Sequence, residues 1–290
     1  MSASNPRIVV LGSINMDLIT RTPSLPVPGE TVLGTSFTTA PGGKGANQAI
    51  AAAKSGSPVA FIGAVGDDEF GETLRHTLSS AGVDDSALRT AAGSSGIATI
   101  TVDDRAENSI VVVPGANGGV RELEDDDRAI IANADILLCQ LEIPLDTVVA
   151  AFRYARSHGV TTMLNPSPVQ DLPDALVANT DVLVVNEAEE ARIGHRAHEV
   201  EHVVTTLGER GARYRGSESF EVSAPRIEAV DTTGAGDAFA GALAASWPSG
   251  PRSAIEWATA AGSFAATRPG ASTSSGTRVE IDTLRDAAAR

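Results

Sequence analysis

The stretch VDTTGAGDAFAGAL, residues 230–243, places three small residues directly before a carboxylate and an apolar run. The residues before it, RIEAV, alternate between polar and apolar side chains as in a strand, and the apolar residues after Asp237 recur at helical spacing. Gly234 and Gly236 permit backbone angles that other residues avoid and allow another molecule to come close. The stretch therefore predicts a strand, a bare turn, and a helix whose free N–H groups can bind an anion.

Asp237 has two interpretations in this stretch. As a structural residue, it caps the helix after a tight turn. As a functional residue, it places a carboxylate beside the anion site that the same turn creates. The stretch alone favours neither interpretation, so the rest of the chain has to decide between them.

The composition limits the class of protein. The chain has 290 residues, 42 % of them apolar, which suffices for one large α/β domain or two smaller ones. Its formal net charge of −15 argues against a surface that binds nucleic acid, although a local positive site would still accept an anionic substrate. The N-terminus lacks the features of a signal peptide, and no apolar run reaches the roughly 18 residues of a membrane span. We therefore expect a cytoplasmic protein whose partners include neither a membrane nor nucleic acid.

Strand-like and helix-like segments alternate along most of the chain. The runs RIVVLGSI, PVAFIGAVG and DVLVVN are typical of buried strands, and GGKGANQAIAAAKSG and LDTVVAAFRYARSHG have helical spacing. This pattern predicts a single α/β domain over residues 1–290, with a mostly parallel sheet covered on both faces. Two segments without helices, about 16–40 and 96–113, predict a small second sheet inserted as a lid, with ordinary edge hairpins as the alternative.

Several common site motifs are absent from the sequence. There is no G-x-x-x-x-G-K-[ST] of a P-loop, and the third glycine of GAGDAFAG is misplaced for a dinucleotide fingerprint. C-x-x-C does not occur, and the one H-E-x-x-H match, HEVEH at residues 198–202, lies in a short segment whose histidines are interpreted as solvated, so we do not expect a zinc site. The only cysteine, Cys139, lies among apolar residues, so it cannot form an internal disulfide and is interpreted as a buried structural thiol rather than a nucleophile.

Two glycine clusters, GGKGAN at residues 42–47 and DTTGAGD at 231–237, resemble the paired signatures of the ribokinase-like (PfkB-type) carbohydrate kinases. The resemblance covers nearly the whole chain, because PGETV, GDDEFGE, PGAN, QLEIPL, NPSP, VNEAE, TLGERG and TRPGAS follow in the family's order. It implies a three-layer fold with an inserted β-sheet lid, and ATP-dependent phosphorylation of D-ribose at O5. The alternatives are a kinase of another sugar or a nucleoside, a non-catalytic sugar-binding protein, and a dinucleotide oxidoreductase.

The resemblance also implies a sugar site and a phosphoryl-transfer site. The implied sugar-binding residues are Asn15, Asp17, Gly43, Lys44, Asn47, Glu142 and Asp237. Carboxylates suit such a site because they accept hydrogen bonds from neighbouring hydroxyls. Asp237 would be the general base, and the N–H groups of Gly234, Ala235 and Gly236 would stabilise charge on the transferring phosphoryl group.

Nucleotide and metal sites follow from the same resemblance. The implied ATP-binding residues are Asn186, Thr206, Gly208, Gly211, Gly236 and Thr259. Glu189 would organise Mg²⁺, mainly through water, although the sequence alone equally fits a solvated helix residue. A monovalent cation, K⁺, would lie beside the glycine turn, at Asp231, Thr233, Ala265, Arg268, Gly270 and Ser274.

The chain departs from the family pattern in two places. Thr259 stands where the family usually carries Asn near the adenine, and its shorter side chain puts that contact in question. Residues 190–205 are too few for the family's usual helices, so we expect a covering helix to be missing from one face of the sheet. His195, His198 and His202 fall in this segment and are interpreted as solvated loop residues rather than metal ligands.

The predicted lid bears on assembly. A small inserted sheet would have open edges and one apolar face, which proteins in water avoid exposing. We therefore expect a homodimer formed through the lid sheet.

Overall fold

The computed structural model describes residues 5–105 and 107–288. Its strands are β1 (Ile8–Leu11), β2 (Asn15–Arg21), β3 (Ser36–Gly42), β4 (Val59–Gly66), β5 (Leu88–Ala91), β6 (Gly96–Val102), β7 (Asn108–Val113), β8 (Ile136–Cys139), β9 (Thr161–Leu164), β10 (Val182–Asn186), β11 (His202–Thr206), β12 (Ala212–Arg215) and β13 (Ser219–Val222). Its α-helices are α1 (Lys44–Lys54), α2 (Glu69–Ser80), α3 (Asp125–Ala132), α4 (Leu145–Ser157), α5 (Asp174–Val177), α6 (Glu187–Ile193), α7 (Ala235–Ser246), α8 (Pro251–Ala266) and α9 (Arg278–Ala288).

Nine strands form the central sheet in the order β13-β12-β11-β10-β9-β8-β1-β4-β5. Neighbouring strands from β11 to β5 are parallel, whereas β12 and β13 join antiparallel at one edge. Every residue of β1 and β8 is buried, as expected of apolar strands that are covered on both faces. The mostly parallel sheet predicted from the sequence is confirmed.

The side chains of β1 alternate between two apolar clusters, one on each face of the sheet. Ile8 and Val10 pack with residues of α1, α2, α7, α8 and α9, while Val9 and Leu11 pack with residues of α3, α4 and α5. Burying a side chain of this size contributes about 1.5–3 kcal/mol. Helices on both faces complete the three-layer architecture.

Helices α1 and α7 pack closely because small residues line their interface. A Cβ atom at Gly241 of α7 would lie 2.3 Å from the carbonyl oxygen of Gln48 in α1, so only glycine fits there. Seven of the nine buried residues of α7 are alanine, glycine or aspartate, with Phe239 and Leu243 as the larger apolar ones. This packing brings the N-terminal turns of the two helices together, and with them the two glycine motifs.

A second sheet of four strands, in the order β3-β2-β6-β7, is present as predicted and is called the lid sheet. β2 pairs parallel with β6, and the outer strands β3 and β7 pair antiparallel with their neighbours. Its first two strands begin at Asn15 and end at Gly42, slightly outside the predicted 16–40. All six residues of the edge strand β7 are exposed.

The structure has no second α-helix over residues 190–205, as expected, but the sheet face there is covered nevertheless. Helix α6 continues directly into a 3₁₀ turn over Gly194–Glu199. Ala197 of this turn and the following Val200 are buried in the same cluster as Val185 and Val203 of the sheet. A short 3₁₀ turn therefore covers the strands for which the sequence offers no second helix.

The histidines of this segment fall into two groups. His195 and His198 are exposed, as predicted for solvated residues. His202 instead begins β11, where its Nδ1 lies 2.8 Å from the hydroxyl oxygen of Tyr214 and its ring meets Trp247 edge-on, so the loop interpretation is wrong for this residue. Among the described residues, no group of three His, Cys, Asp or Glu side chains could hold a metal ion.

Cys139 ends β8 in the core, and burial raises the pKa of its thiol. This suits a structural role and not that of a nucleophile.

Across residues 5–105 and 107–288, no helix combines the length and apolar content that crossing a membrane requires.

Candidate active site

Polar side chains gather at the edge of the central sheet where the parallel strands end. Gln140 follows β8, Asn165 follows β9, and Asn186 is the last residue of β10. The N-terminal turns of α1 and α7 reach the same place, since Asn47 of α1 hydrogen-bonds to Asp237 of α7. Open α/β sheets bind ligands at this edge, so it is the candidate active site.

Asp237 is buried and directs its carboxylate away from its own helix. Its Oδ2 accepts a hydrogen bond from Nδ2 of Asn47 at 3.0 Å, and its Oδ1 accepts one from Nε2 of Gln48 at 2.9 Å. The side chain is 8 % exposed and borders a small cavity. These partners lie on α1, so Asp237 does not act as the helix cap that the sequence leaves as an alternative.

The turn before Asp237 holds several N–H groups without protein acceptors. Gly234 is left-handed, with φ of 75°, and a Cβ atom there would lie 2.7 Å from Cα of Ala271. The N–H of Ala235 donates to the carbonyl of Thr232 at 3.2 Å, so it is used within the turn, contrary to the expectation that all three small residues offer free donors. The N–H groups of Gly234, Gly236 and Asp237 have no acceptor in the described part of the chain.

Asn15 is held from one side and open on the other. Its Oδ1 accepts a hydrogen bond from Nδ2 of Asn117 at 2.7 Å, and Asn117 is itself fixed by the N–H and carbonyl of Ile14. Among the described residues, Nδ2 of Asn15 has no protein acceptor. Asn15 can therefore donate to a ligand from a rigid position.

Glu142 joins the end of β8 to the start of α1. Its Oε2 accepts hydrogen bonds from Oγ of Ser13 at 2.5 Å and from the N–H of Lys44 at 3.2 Å. Gly43 precedes Lys44 as the N-cap of α1 and provides no side-chain cap. The carboxylate of Glu142 thus satisfies the first turn of α1 and lies close enough to Asp17 to affect it electrostatically.

The site concentrates negative charge around one lysine. Burial, and then the carboxylates of Glu142 and Asp237, raise the pKa of Asp17 to about 7. Burial by itself would lower the pKa of Lys44, but the carboxylates of Asp237, Glu142 and Glu189 outweigh it, so that pKa is raised. At neutral pH the Lys44 ammonium supplies a positive charge beside these carboxylates.

The residues predicted to bind ATP line two adjoining cavities. Five of them, Thr206, Gly208, Gly211, Gly236 and Thr259, line a cleft of about 670 Å³. Asn186 lines a smaller cavity of about 130 Å³ together with Lys44, Glu189 and Asp237, and Thr206 and Gly236 border both. The Thr259 hydroxyl is buried without a partner in the described structure, which leaves it available to a ligand in the cleft.

Asn186 and Glu189 form a reciprocal cap at the start of α6. Oδ1 of Asn186 accepts from the N–H of Glu189 at 2.8 Å, and Oε2 of Glu189 accepts from the N–H of Asn186 at 2.9 Å. The half-buried Glu189 carboxylate also borders the smaller cavity. Because the cap uses one oxygen, the other can contact a hydrated Mg²⁺ ion, for which oxygen ligands and water are suited.

Asp231 organises the loop on which the predicted monovalent-cation residues lie. Its Oδ1 accepts from the N–H of Thr233 and its Oδ2 from the N–H of Gly270, both at 2.9 Å. Burial would raise the pKa of Asp231, but hydrogen bonds from Thr233 and Gly270 outweigh it, so that pKa is lowered. The side chain of Arg268 turns away to Glu280, so only its backbone carbonyl is available to a cation.

The other two predicted cation residues are held by local hydrogen bonds. The carbonyl of Ala265 accepts from the N–H of Arg268 at 3.1 Å, and Oγ of Ser274 donates to the carbonyl of Ala271 at 2.7 Å. An ionised carboxylate with backbone carbonyls and a hydroxyl is an oxygen donor set that fits a K⁺ ion.

Several site residues are absent from the sequence predictions. Ser13, Gln48, Asn117, Gln140 and Asn165 all hydrogen-bond to predicted residues or to each other. Asn117 and Asn165 lie in segments that match the family, PGAN and NPSP, which carried no assigned role. For Gln48 the available signal is a polar residue inside an alanine-rich helix face, since it is completely buried.

Comparisons with known proteins identify the family to which the chain is similar. The chain matches the family model described as pfkB family carbohydrate kinase over residues 5–278. Ribokinase of Schizosaccharomyces pombe is 36 % identical and covers 95 % of this chain and 96 % of its own length. Deoxyribokinase of Salmonella typhi is 37 % identical and covers 82 % of this chain and 84 % of its own length.

The fold is also similar to that of a solved structure. The structure of Arabidopsis thaliana ribokinase complexed with ribose and ATP gives a TM-score of 0.89 at 30 % identity. The match covers 97 % of this chain and 99 % of that chain. Sequence and fold are therefore similar to known sugar kinases over nearly the whole chain.

The raised pKa of Asp17 predicts how stability depends on pH. The folded chain keeps this proton up to about pH 7, whereas an aspartate carboxyl in the unfolded chain loses it near its ordinary pKa of 3.8. The stabilising contribution is therefore complete below about pH 4 and is lost as pH rises through about 7. Asp17→Asn imitates the protonated form, so its stability relative to the unmodified chain should rise between about pH 4 and 7, by about 1.4 kcal/mol per pH unit at most.

Urea unfolding of both proteins across this pH range, without ligands, measures the difference. Asp286→Asn, at an exposed position on α9, is the matched control and should show no such trend. A stability difference for Asp17→Asn that stays constant with pH would contradict the electrostatic account of Asp17.

Proposed function

Because the chain belongs to the pfkB family of carbohydrate kinases, we propose that it transfers the γ-phosphoryl group of ATP to O5 of D-ribose and so forms ribose 5-phosphate. The observation that carries this proposal is the place of Asp237. Its buried carboxylate borders the smaller cavity, between the residues assigned to the sugar and the free N–H groups of the turn. The relatives named as ribokinases, and the similar structure with ribose and ATP, support this pair of substrates.

The proposed reaction needs one proton acceptor and one charge-stabilising turn. Asp237 accepts the proton of the O5 hydroxyl while O5 forms a bond to the γ-phosphorus, and the bond from that phosphorus to the bridging oxygen of ADP breaks. The free N–H groups of Gly236 and of Asp237 itself stabilise charge on the transferring group. Lys44, the cationic residue among those that line the smaller cavity, adds neutralising charge there.

Two cations complete the proposal. Glu189 would hold Mg²⁺ through water, and the ion would neutralise the phosphates of ATP. Asp231 would hold K⁺ with backbone carbonyls of the neighbouring loop and Ser274, which would fix the loop beside the turn. Both ions are consistent with the oxygen atoms that face these places.

The choice between ribose and 2-deoxyribose depends on the hydroxyl-binding residues. Relatives named for each sugar have nearly equal identity to this chain, so identity does not choose between them. The open donor of Asn15 and the carboxyl of Asp17 favour ribose, because a buried group built to pair with a hydroxyl loses its partner when that hydroxyl is absent.

We predict that the unmodified enzyme prefers ribose to 2-deoxyribose and that Asn15→Leu reduces kcat/KM for ribose much more than for 2-deoxyribose. A lost hydrogen bond of this kind costs about 1–3 kcal/mol, or about 5- to 150-fold in kcat/KM. The measurement is ADP release with ribose, 2-deoxyribose, fructose and nucleosides. Equal use of the two pentoses by the unmodified enzyme would refute the ribose assignment, and an unchanged ratio in Asn15→Leu would remove that residue from the site.

We also propose that two copies of the chain pair through the lid sheet. β7 is an edge strand with six exposed residues, and Ile110, Val111, Val112 and Val113 are between 44 % and 60 % exposed. Phe37 of the other edge strand is 61 % exposed. Four consecutive exposed apolar residues on an open edge need a covering partner.

The expected mass at micromolar concentration is that of a dimer, and Val112→Lys should shift it toward a monomer by placing charge in the interface. Val279→Lys is the control, because Val279 is 74 % exposed on α9 and lies outside the lid sheet. Sedimentation equilibrium measures both masses. A monomeric unmodified chain would contradict lid pairing.

A further inference from the structure

Gln48 lies beneath the site, completely buried, and its amide touches the carboxylate assigned as general base. We propose that Gln48 is a positioning residue that fixes the direction of the Asp237 carboxylate and keeps it ionised. The inference rests on the proposed function, since it gives that reaction a further residue. The evidence for it is a series of hydrogen-bonded side-chain amides. A backbone carbonyl at one end fixes which way each amide of the series is oriented.

The orientation of these amides is fixed first by a backbone carbonyl of the central sheet. Nδ2 of Asn165 donates to the carbonyl of Val184 in β10 at 2.9 Å, and a carbonyl can only accept. Oδ1 of Asn165 is therefore turned toward Gln48, whose Nε2 donates to it at 3.0 Å. Oε1 of Gln48 accepts from Nε2 of Gln140 at 2.5 Å.

Because of these contacts, Gln48 can present only a donor to Asp237. Its Nε2 carries two hydrogens, and these are directed to Oδ1 of Asn165 and to Oδ1 of Asp237 at 2.9 Å. Rotating the amide by half a turn would place its oxygen against the oxygens of Asn165 and Asp237. In a buried site that arrangement is strongly disfavoured.

Asn47 does not share this rigidity. Its Nδ2 donates to Oδ2 of Asp237 at 3.0 Å, but its own Oδ1 is buried without a partner among the described residues. The Asn47 amide can therefore turn toward a bound sugar or toward a changed carboxylate. Gln48 holds the other oxygen in place, so that Asp237 keeps one orientation while its partner at Asn47 adapts.

The backbone beneath Gln48 is fixed as well. Its carbonyl oxygen lies 2.3 Å from the position that a Cβ atom at Gly241 would take, so the backbones of α1 and α7 are in direct contact at this point. The donor and the carboxylate are thus set on two helices whose spacing is determined. A donor in a buried site stabilises the charged form of a carboxylate, which is the form a general base requires.

The test compares three variants by stability, kcat, KM and the pH dependence of kcat with ribose and ATP. Gln48→Leu removes the donor, and Gln48→Glu keeps the size but places a carboxyl group beside Asp237. Gln140→Leu is the matched variant, because it removes a buried amide of the same length that contacts Gln48 but not Asp237.

We expect Gln48→Leu to lower kcat by about 10- to 100-fold, the effect of losing a hydrogen bond to a charged group, with less change in the KM for ribose. The acidic limb of its kcat profile should move to higher pH, because the ionised carboxylate has lost a donor. Gln48→Glu should move the limb further in the same direction. Gln140→Leu should lower stability as much as Gln48→Leu while its acidic limb stays in place.

A structural role alone would lower the stability of Gln48→Leu and Gln140→Leu alike and leave both pH profiles unchanged, which would overturn the proposal. If Gln48→Leu fails to fold, Gln48→Glu serves as the test instead. A pH dependence of kcat in Gln48→Glu that matches the unmodified enzyme would then overturn the proposal. Failure of the proposed function is separate, because the unmodified enzyme would then phosphorylate no ribose.

Discussion

The hydrogen bonds from α1 to the Asp237 carboxylate are the contact on which the rest of the site depends. They join residues 189 and 190 positions apart in the chain, and they exist because α7 lies against α1 at Gly241. That contact places the N-terminal turn of α7, with its free N–H groups, beside the residues assigned to the sugar. The central sheet and its helices keep the N-terminal turns of α1 and α7 next to each other.

The same packing creates an electrostatic cost that ligands can offset. Burial, together with the nearby carboxylates of Glu142 and Asp237, raises the pKa of Asp17 to about 7, and the ammonium of Lys44 supplies the opposite charge nearby. Carboxylates arranged this way repel each other in the empty site and gain hydrogen bonds from sugar hydroxyls on binding. These carboxylates therefore lower the stability of the folded chain while they serve ligand binding, a trade-off that is common at functional sites.

The sequence predicted the fold class, the second sheet and the family, because buried parallel strands are continuous apolar runs and the glycine motifs stand beside recognisable elements. It also named Asp237 and most residues around it. It could not identify the hydrogen-bond partners of Gln48, Gln140 or Asn117, because the partners of buried amides are set by tertiary packing. It predicted that residues 190–205 lack a second helix, but it could not show that a 3₁₀ turn and the following Val200 cover the sheet there, or that His202 lies in β11 beside Tyr214, because both depend on tertiary contacts.

The central claim is that the Asp237 carboxylate takes the sugar proton, and Asp237→Asn tests it most directly. The free Oδ1 of Asn47 lets that amide turn to accept from the new side chain, so the fold and the sugar site should persist. Turnover of ribose and ATP, with sugar affinity measured by calorimetry, should show a loss of about 10²- to 10⁴-fold in kcat and little change in affinity. Turnover close to that of the unmodified enzyme would contradict the account.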